Sequence, residues 1–299
     1  MTALAPGIVA SLVTPFTAAD EVDEERLRGI VRFALAAGVD GLMCTALAGE
    51  GNMLSGRELC AVVGTVLDEA AGRVPVVVGV AGRTFADGVE VIRFAERAGA
   101  AALLAGARPY ADSSLSPEDQ VVKLAHESRV PVMIQEAPGY VGRGFGIAGL
   151  ERIMARAETV AHLKIEGGPS AVRRAVAAFG DRLTVWGGDG GMYLLDCLRA
   201  GAAGVMPGVE IVDLLVRALR EERQGDRARA DAVVSRVLPV IVLLMQSLAD
   251  YVAGAKAILA ARGLLAEGRA RLEGAALDPV ERRLLIDQFA TLSALLPPR

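Results

Sequence analysis

Short apolar runs rich in β-branched residues alternate along the chain with longer stretches in which apolar positions recur every three to four residues. The short runs read as strands over 7–14, 41–45, 75–80, 101–105, 131–135, 160–165, 183–187 and 204–207. Each is followed by a helical pattern, near 23–37, 55–71, 84–98, 116–128, 147–157, 170–179, 190–200 and 209–222. Strand–helix repetition of this kind implies parallel strands joined by crossover helices. Eight such units fit a closed barrel better than an open sheet, which usually has fewer strands and a nucleotide loop after the first. The predicted fold class is therefore α/β, a (β/α)8 TIM barrel over residues 1–224. Beyond Gly225 the strand rhythm stops, and 226–248, 250–265 and 279–296 read as helices. Residues 225–299 are predicted to form a C-terminal helical extension, packed on the barrel or used in assembly.

Helix starts and stops agree with this division. Ser55 followed by Glu58 reads as a capping box, and Ser116-Pro117 and Pro169-Ser170 suit first turns. Gly38, Gly72, Gly99, Gly180 and Gly201 stand where helices should end.

Composition narrows the class of partner. The 299 residues are 53% hydrophobic with a net charge of -4, and the arginines are interspersed with acidic residues. Without a basic stripe to follow phosphates, nucleic acid is not expected as a partner. No uninterrupted apolar stretch reaches spanning length and Met1 to Val13 carry no basic flank, so no membrane association and a cytoplasmic location are expected. Cys44, Cys60 and Cys197 are far apart and odd in number, and His126 and His162 lack ligand spacing. Neither a disulfide framework nor a metal site follows, and no cofactor is expected.

Candidate chemistry centres on Lys164, at the end of the apolar run Thr159-Val160-Ala161-His162-Leu163-Lys164. Alternation puts His162, Lys164 and Glu166 on one face of the strand and Leu163 and Ile165 on the other. A desolvated amine there can attack a carbonyl to form a Schiff base, whereas a purely structural lysine would reach water or pair with Glu166. In a barrel, chemistry gathers at the C-terminal ends of the strands. That adds Ala46-Leu47-Ala48-Gly49-Glu50, Pro109-Tyr110, Gln135-Glu136, Gly187-Gly188-Asp189 and Met206-Pro207-Gly208.

These segments resemble the dihydrodipicolinate synthase and N-acetylneuraminate lyase family of class I aldolases and dehydratases. The resemblance runs from Ala10 to Gly208 through Ala10-Ser11-Leu12-Val13-Thr14-Pro15-Phe16, Gly38-Val39-Asp40-Gly41-Leu42, Gly49-Glu50 and Leu54-Ser55 with Glu58. It continues in Val74-Pro75-Val76-Val77-Val78-Gly79-Val80, Pro109-Tyr110, Pro131-Val132-Met133-Ile134 and Gly201-Ala202-Ala203-Gly204-Val205. Lys164 falls where the family has its Schiff-base lysine. The resemblance implies a small-molecule 2-keto acid as substrate, with its carboxylate on the main-chain amides of Leu47, Ala48 and Gly49. It also implies a homo-oligomer, commonly a tetramer. Gly188 and Met206 are further expected binding positions, at the ends of strands seven and eight.

The chain also departs from the family's synthases. Their Gly-Thr-Thr-Gly-Glu loop is Ala46-Leu47-Ala48-Gly49-Glu50 here, and their relay of a threonine and two tyrosines falls on Leu47, Ala111 and Gln135. None of these can carry a proton near neutrality. Their substrate-holding arginine after strand five matches Tyr140. The expectation is a Schiff-base-forming lyase, dehydratase or aldolase, acting on a 2-keto acid such as a 2-keto-3-deoxy sugar acid. Lys164 would be the nucleophile, Glu166 the acid/base, and Gln135 would position a water or a substrate hydroxyl. His162 is expected to be a satisfied core histidine. The alternatives are dihydrodipicolinate synthase itself, or a keto-acid-binding protein without turnover.

Overall fold

The computed structural model of the chain describes residues 3–108 and 110–296. Pro109, half of the pair expected after strand four, lies outside them, as do residues 1–2 of the predicted barrel segment and 297–299 of the predicted extension. Eight parallel strands lie in sequential order: β1 (Val9–Ser11), β2 (Gly41–Cys44), β3 (Val76–Gly79), β4 (Ala102–Gly106), β5 (Val132–Glu136), β6 (Val160–Ile165), β7 (Thr184–Gly187) and β8 (Gly204–Val205). Parallel bridges from Ile8 to Val205 and from Ser11 to Gly208 join the first strand to the last and close a TIM barrel.

The outer helices are α1 (Glu24–Ala37), α2 (Gly56–Ala70), α3 (Phe85–Ala98), α4 (Pro117–Glu127), α5 (Pro138–Val141), α6 (Gly146–Met154), α7 (Gly168–Phe179), α8 (Leu194–Arg199) and α9 (Val212–Arg223). The C-terminal helices are α10 (Arg227–Leu244), α11 (Leu248–Ala261) and α12 (Pro279–Ala290). Ser55 and Glu58 form the expected capping box, and Gly38 and Gly99 close α1 and α3 in the left-handed conformation. Three details differ from the sequence pattern. The short α5 follows β5, α7 begins at Gly168 ahead of Pro169, and a left-handed 3-10 turn at Asp189–Gly191 delays α8.

Strand alternation sorts side chains into two layers. Leu42, Val78, Leu103, Ile134, Leu163 and Val185 point outward into the core shared with the helices. Val9, Met43, Val77, Leu104, Met133 and Trp186 fill the barrel interior. The outer core also takes in Val237, Ile241, Val252 and Ile258, so the extension shares one apolar core with the barrel. Ala253 and Ala257 are buried by this packing, and the alanine stripe of α11 therefore faces its own chain, not a free surface.

Candidate active site

The alternation of β6 delivers Lys164 to the interior face at the barrel's C-terminal end. There it is 5% exposed, beside Gln135 of β5 and Trp186 of β7. Glu166, just past the strand, keeps the same parity, and its Oε1 lies 2.6 Å from Lys164 Nζ. Gln135 Nε2 donates to the same Oε1 at 3.2 Å, and the Asp189 N–H donates to Oε2. The carboxylate is thus held from three sides. Gln135 spends its amide on orienting Glu166, where the sequence suggested that it would position a water or hydroxyl.

The β7 loop braces this arrangement. Asp189 adopts a positive φ of 53°, a conformation costly for a residue with a Cβ. In it, Asp189 Oδ2 accepts the Gly167 and Gly168 N–H groups at 2.8 Å each, at the start of α7. Tyr140 donates its hydroxyl to Asp189 Oδ1 at 3.3 Å. Burial, with the nearby Glu166 charge, holds the Asp189 carboxyl above its ordinary value, and burial with the Asp189 charge does the same to the Tyr140 phenol. Gly190 follows at φ 61°, and a side chain there would collide with Met245 of the C-terminal extension.

Opposite Lys164, the loop after β2 turns through Thr45 and Glu50, both at positive φ. Thr45 Oγ1 donates to Gly79 O at 2.8 Å and Thr14 Oγ1 to Gly49 O at 2.6 Å. Among the described residues no hydrogen bond engages the N–H of Leu47 or Ala48, so both remain free for a ligand. Glu50 points away from the cavity and pairs with Lys256 of α11, and both side chains are fully buried.

The extension also closes the site. Met245, Leu248 and Tyr251 line a cavity of about 50 Å³ together with Ser11, Leu47, Ala48, Gln135, Tyr140, Lys164, Glu166 and Met206. That is room for roughly three to five waters, the scale of a small keto acid and far below that of a dinucleotide. A second cavity of about 300 Å³ shares Ala46, Leu47 and Gln135 with it and opens toward Asn52, Arg83, Arg108 and Gln120. Among the described residues no cluster of histidine, cysteine, aspartate or glutamate is arranged to hold a metal, and no helix is long and apolar enough to cross a membrane.

Lys164, Glu166, Gln135, Leu47, Ala48 and Met206 are brought together as the sequence suggested. Two expected binding positions lie off the cavity. The Gly49 N–H is spent on Ala46 O at 3.0 Å inside its own turn, and Gly188 donates to Ile165 O at 2.9 Å and packs behind Glu166. His162 is half-buried and not satisfied: its buried Nδ1 has no hydrogen-bond partner among the described residues, and burial lowers its proton affinity. Sequence reasoning passed over Tyr251 and Lys256, and met Tyr140 only as the residue in place of the family's arginine. Tyr140 had a signal in its place shortly after β5, but the two C-terminal residues carry only ordinary helical spacing.

The sequence model of the dihydrodipicolinate synthetase family matches residues 5–283. A 4-hydroxy-tetrahydrodipicolinate synthase from Thermomicrobium roseum is 29% identical over 293 residues, covering 95% of this chain and 94% of its own. An L-2-keto-3-deoxyarabonate dehydratase from Azospirillum brasilense is 29% identical over 288 residues, covering 94% of this chain and 92% of its own. Among solved structures, an E. coli K12 prophage protein of the dihydrodipicolinic acid synthase family, in complex with pyruvate, superposes with a TM-score of 0.86 at 22% identity. The match covers 97% of this chain and 99% of that one.

Proposed function

The chain belongs to the dihydrodipicolinate synthetase family, whose members are lyases, and from that premise we propose that it is a Schiff-base-forming lyase acting on a 2-keto acid of the 2-keto-3-deoxy sugar acid class. The observation that carries the reading is the buried Lys164 with Glu166 Oε1 at 2.6 Å, facing the free N–H groups of Leu47 and Ala48 across a cavity sized for a small keto acid. The substrate carboxylate rests on those amides, which presents its ketone carbon to Lys164. Glu166 draws a proton from the ammonium and the freed amine attacks; the nitrogen passes a proton through water to the ketone oxygen and Glu166 releases its own to solvent, so the neutral carbinolamine forms with Glu166 again a carboxylate. The iminium then acts as an electron sink, and Glu166 moves the proton at the neighbouring carbon.

Dehydration is favoured over aldol cleavage. A carboxylate beside the imine can take the C3 proton and return it to a departing hydroxyl, whereas cleavage must deprotonate a hydroxyl further from the lysine. The relative named as a 2-keto-3-deoxyarabonate dehydratase supports this choice. The chain of the substrate extends into the larger cavity between Asn52, Arg83 and Arg108. Synthase chemistry is disfavoured because Leu47, Ala111 and Gln135 occupy the relay positions. A binding protein without turnover would have no use for a carboxylate held on the amine from three sides.

Incubation with pyruvate and borohydride, followed by peptide mapping, tests the reading. The expected result is a reduced adduct on Lys164 that Lys164→Ala abolishes. Labelling at another lysine, or none with several 2-keto acids, refutes it.

A further inference from the structure

Glu166 is committed to the nitrogen side of the reaction by Lys164, Gln135 and the Asp189 N–H. Imine formation also needs an acid at the oxygen, which leaves as water. On the C-terminal wall of the same cavity stands Tyr251, 7% exposed, whose hydroxyl hydrogen-bonds Glu210 Oε2 at 3.3 Å. Glu210 is fully buried, and its Oε1 has no hydrogen-bond partner among the described residues. Such a carboxyl is costly without a purpose. The bend after β8 makes room for the pair, because any side chain at Gly208 would collide with both the Tyr251 hydroxyl and the Glu210 carboxyl.

Resting on the Schiff-base reading above, we propose that Tyr251 is the acid that protonates the departing hydroxyl of the Lys164 carbinolamine, with Glu210 behind it as the proton source. The carbinolamine C–O bond breaks while the nitrogen lone pair forms the C=N bond, and the hydroxyl takes the phenol proton and leaves as water. Tyr251 then takes the proton of the Glu210 carboxylic acid. The products are an iminium, water and the Glu210 carboxylate, and hydrolysis of the final imine runs the same path backward. In its protonated form Glu210 donates to the phenol oxygen and turns the Tyr251 O–H into the cavity.

Surrounding charges fit this direction of transfer. Burial raises the Glu210 carboxyl to about 7, against the opposing effects of its hydrogen bonds and of the Arg262 guanidinium, which is itself paired with Asp213 at 2.9 Å. Burial, the Glu210 charge and the more distant Glu166 and Tyr140 keep the Tyr251 phenol protonated, as an acid requires. A carboxyl poised near 7 gives the step a falling limb as pH rises through that value.

The test is the rate of pyruvate trapping on Lys164 with cyanoborohydride between about pH 5 and 9. The unsubstituted chain is expected to show the falling limb near 7. Tyr251→Phe should slow trapping roughly 10²-fold or more, and Glu210→Gln should slow it and abolish the limb. Trapping at the unsubstituted rate in Tyr251→Phe overturns the assignment. So does a slowed Glu210→Gln variant that keeps the limb unmoved, since a structural role predicts that outcome. No Lys164 adduct in the unsubstituted chain would overturn the Schiff-base reading itself, and this assignment with it.

Discussion

The strand-two loop, which presents the free amides of Leu47 and Ala48, is anchored from behind by one buried ion pair. Replacing Lys256 should therefore disturb both stability and substrate binding. Lys256 Nζ bonds Glu50 Oε1 and donates to Arg269 O at 2.7 Å, and it lies 4.4 Å from the centre of the Phe16 ring. Glu50 Oε2 accepts the Arg271 and Leu272 N–H groups at 2.6 and 2.7 Å. Burial pulls the Lys256 ammonium below its ordinary value, and the Glu50 charge opposes that pull. Lys256→Met keeps most of the volume but strands a carboxylate that water cannot reach. Removing one partner of a buried pair costs about 3–5 kcal/mol, and the two surviving N–H donors place the loss toward the lower end. For a chain of this size each kcal/mol shifts Tm by about 2–4 °C, so a fall of roughly 10 °C is expected. Thermal and urea unfolding of Lys256→Met, Glu50→Gln and the double variant measure it. The double variant should recover much of the loss, since it leaves no uncompensated charge, and the coupling should exceed about 1 kcal/mol. A Lys256→Met loss below about 1 kcal/mol, or strict additivity in the cycle, would refute the anchoring role.

Glu166→Gln should still trap pyruvate on Lys164 but lose roughly 10²-fold or more in exchange of the pyruvate C3 protons with D2O, read by proton NMR. Full exchange in that variant would assign Glu166 to structure alone. The chain should also scatter light as a homo-oligomer at micromolar concentration, the tetramer being the expected form. The motive in the structure is Val242, Leu243, Val280 and Leu284, 40–59% exposed on α10 and α12. A monomer at that concentration would sink the expectation.

Barrel strands were legible in the sequence because their period of two and their spacing are set locally, and the same parity placed Lys164 and Glu166 on one face before any contact was known. The loop of Leu47 and Ala48 was legible at a strand end, but the use of its amides came from the family resemblance alone. That Gly49 closes its own turn through Ala46 O depends on backbone conformation, with Thr45 and Glu50 at positive φ, which neither residue type advertises. Tyr251 and Lys256 were illegible for a different reason. They lie 87 and 92 residues beyond Lys164 in the numbering, on a helix whose pattern reports only that it packs. What it packs against is decided by the closure of the extension over the barrel mouth.

Gln135 connects these observations. At the place where the family's synthases carry a relay tyrosine, an amide can neither give nor take a proton, but it can hold a carboxylate still. A carboxylate has about four acceptor sites. On Glu166, Lys164 and Gln135 occupy the two of Oε1, and the Asp189 N–H occupies one of Oε2. One site remains, on Oε2, and in the proposed reaction it is the place for a proton taken from substrate at C3. A group so fully engaged at the nitrogen is poorly placed to serve the ketone oxygen as well. The acid for that oxygen must come from another wall of the cavity, and the C-terminal wall carries Tyr251 with its own buried carboxyl behind it.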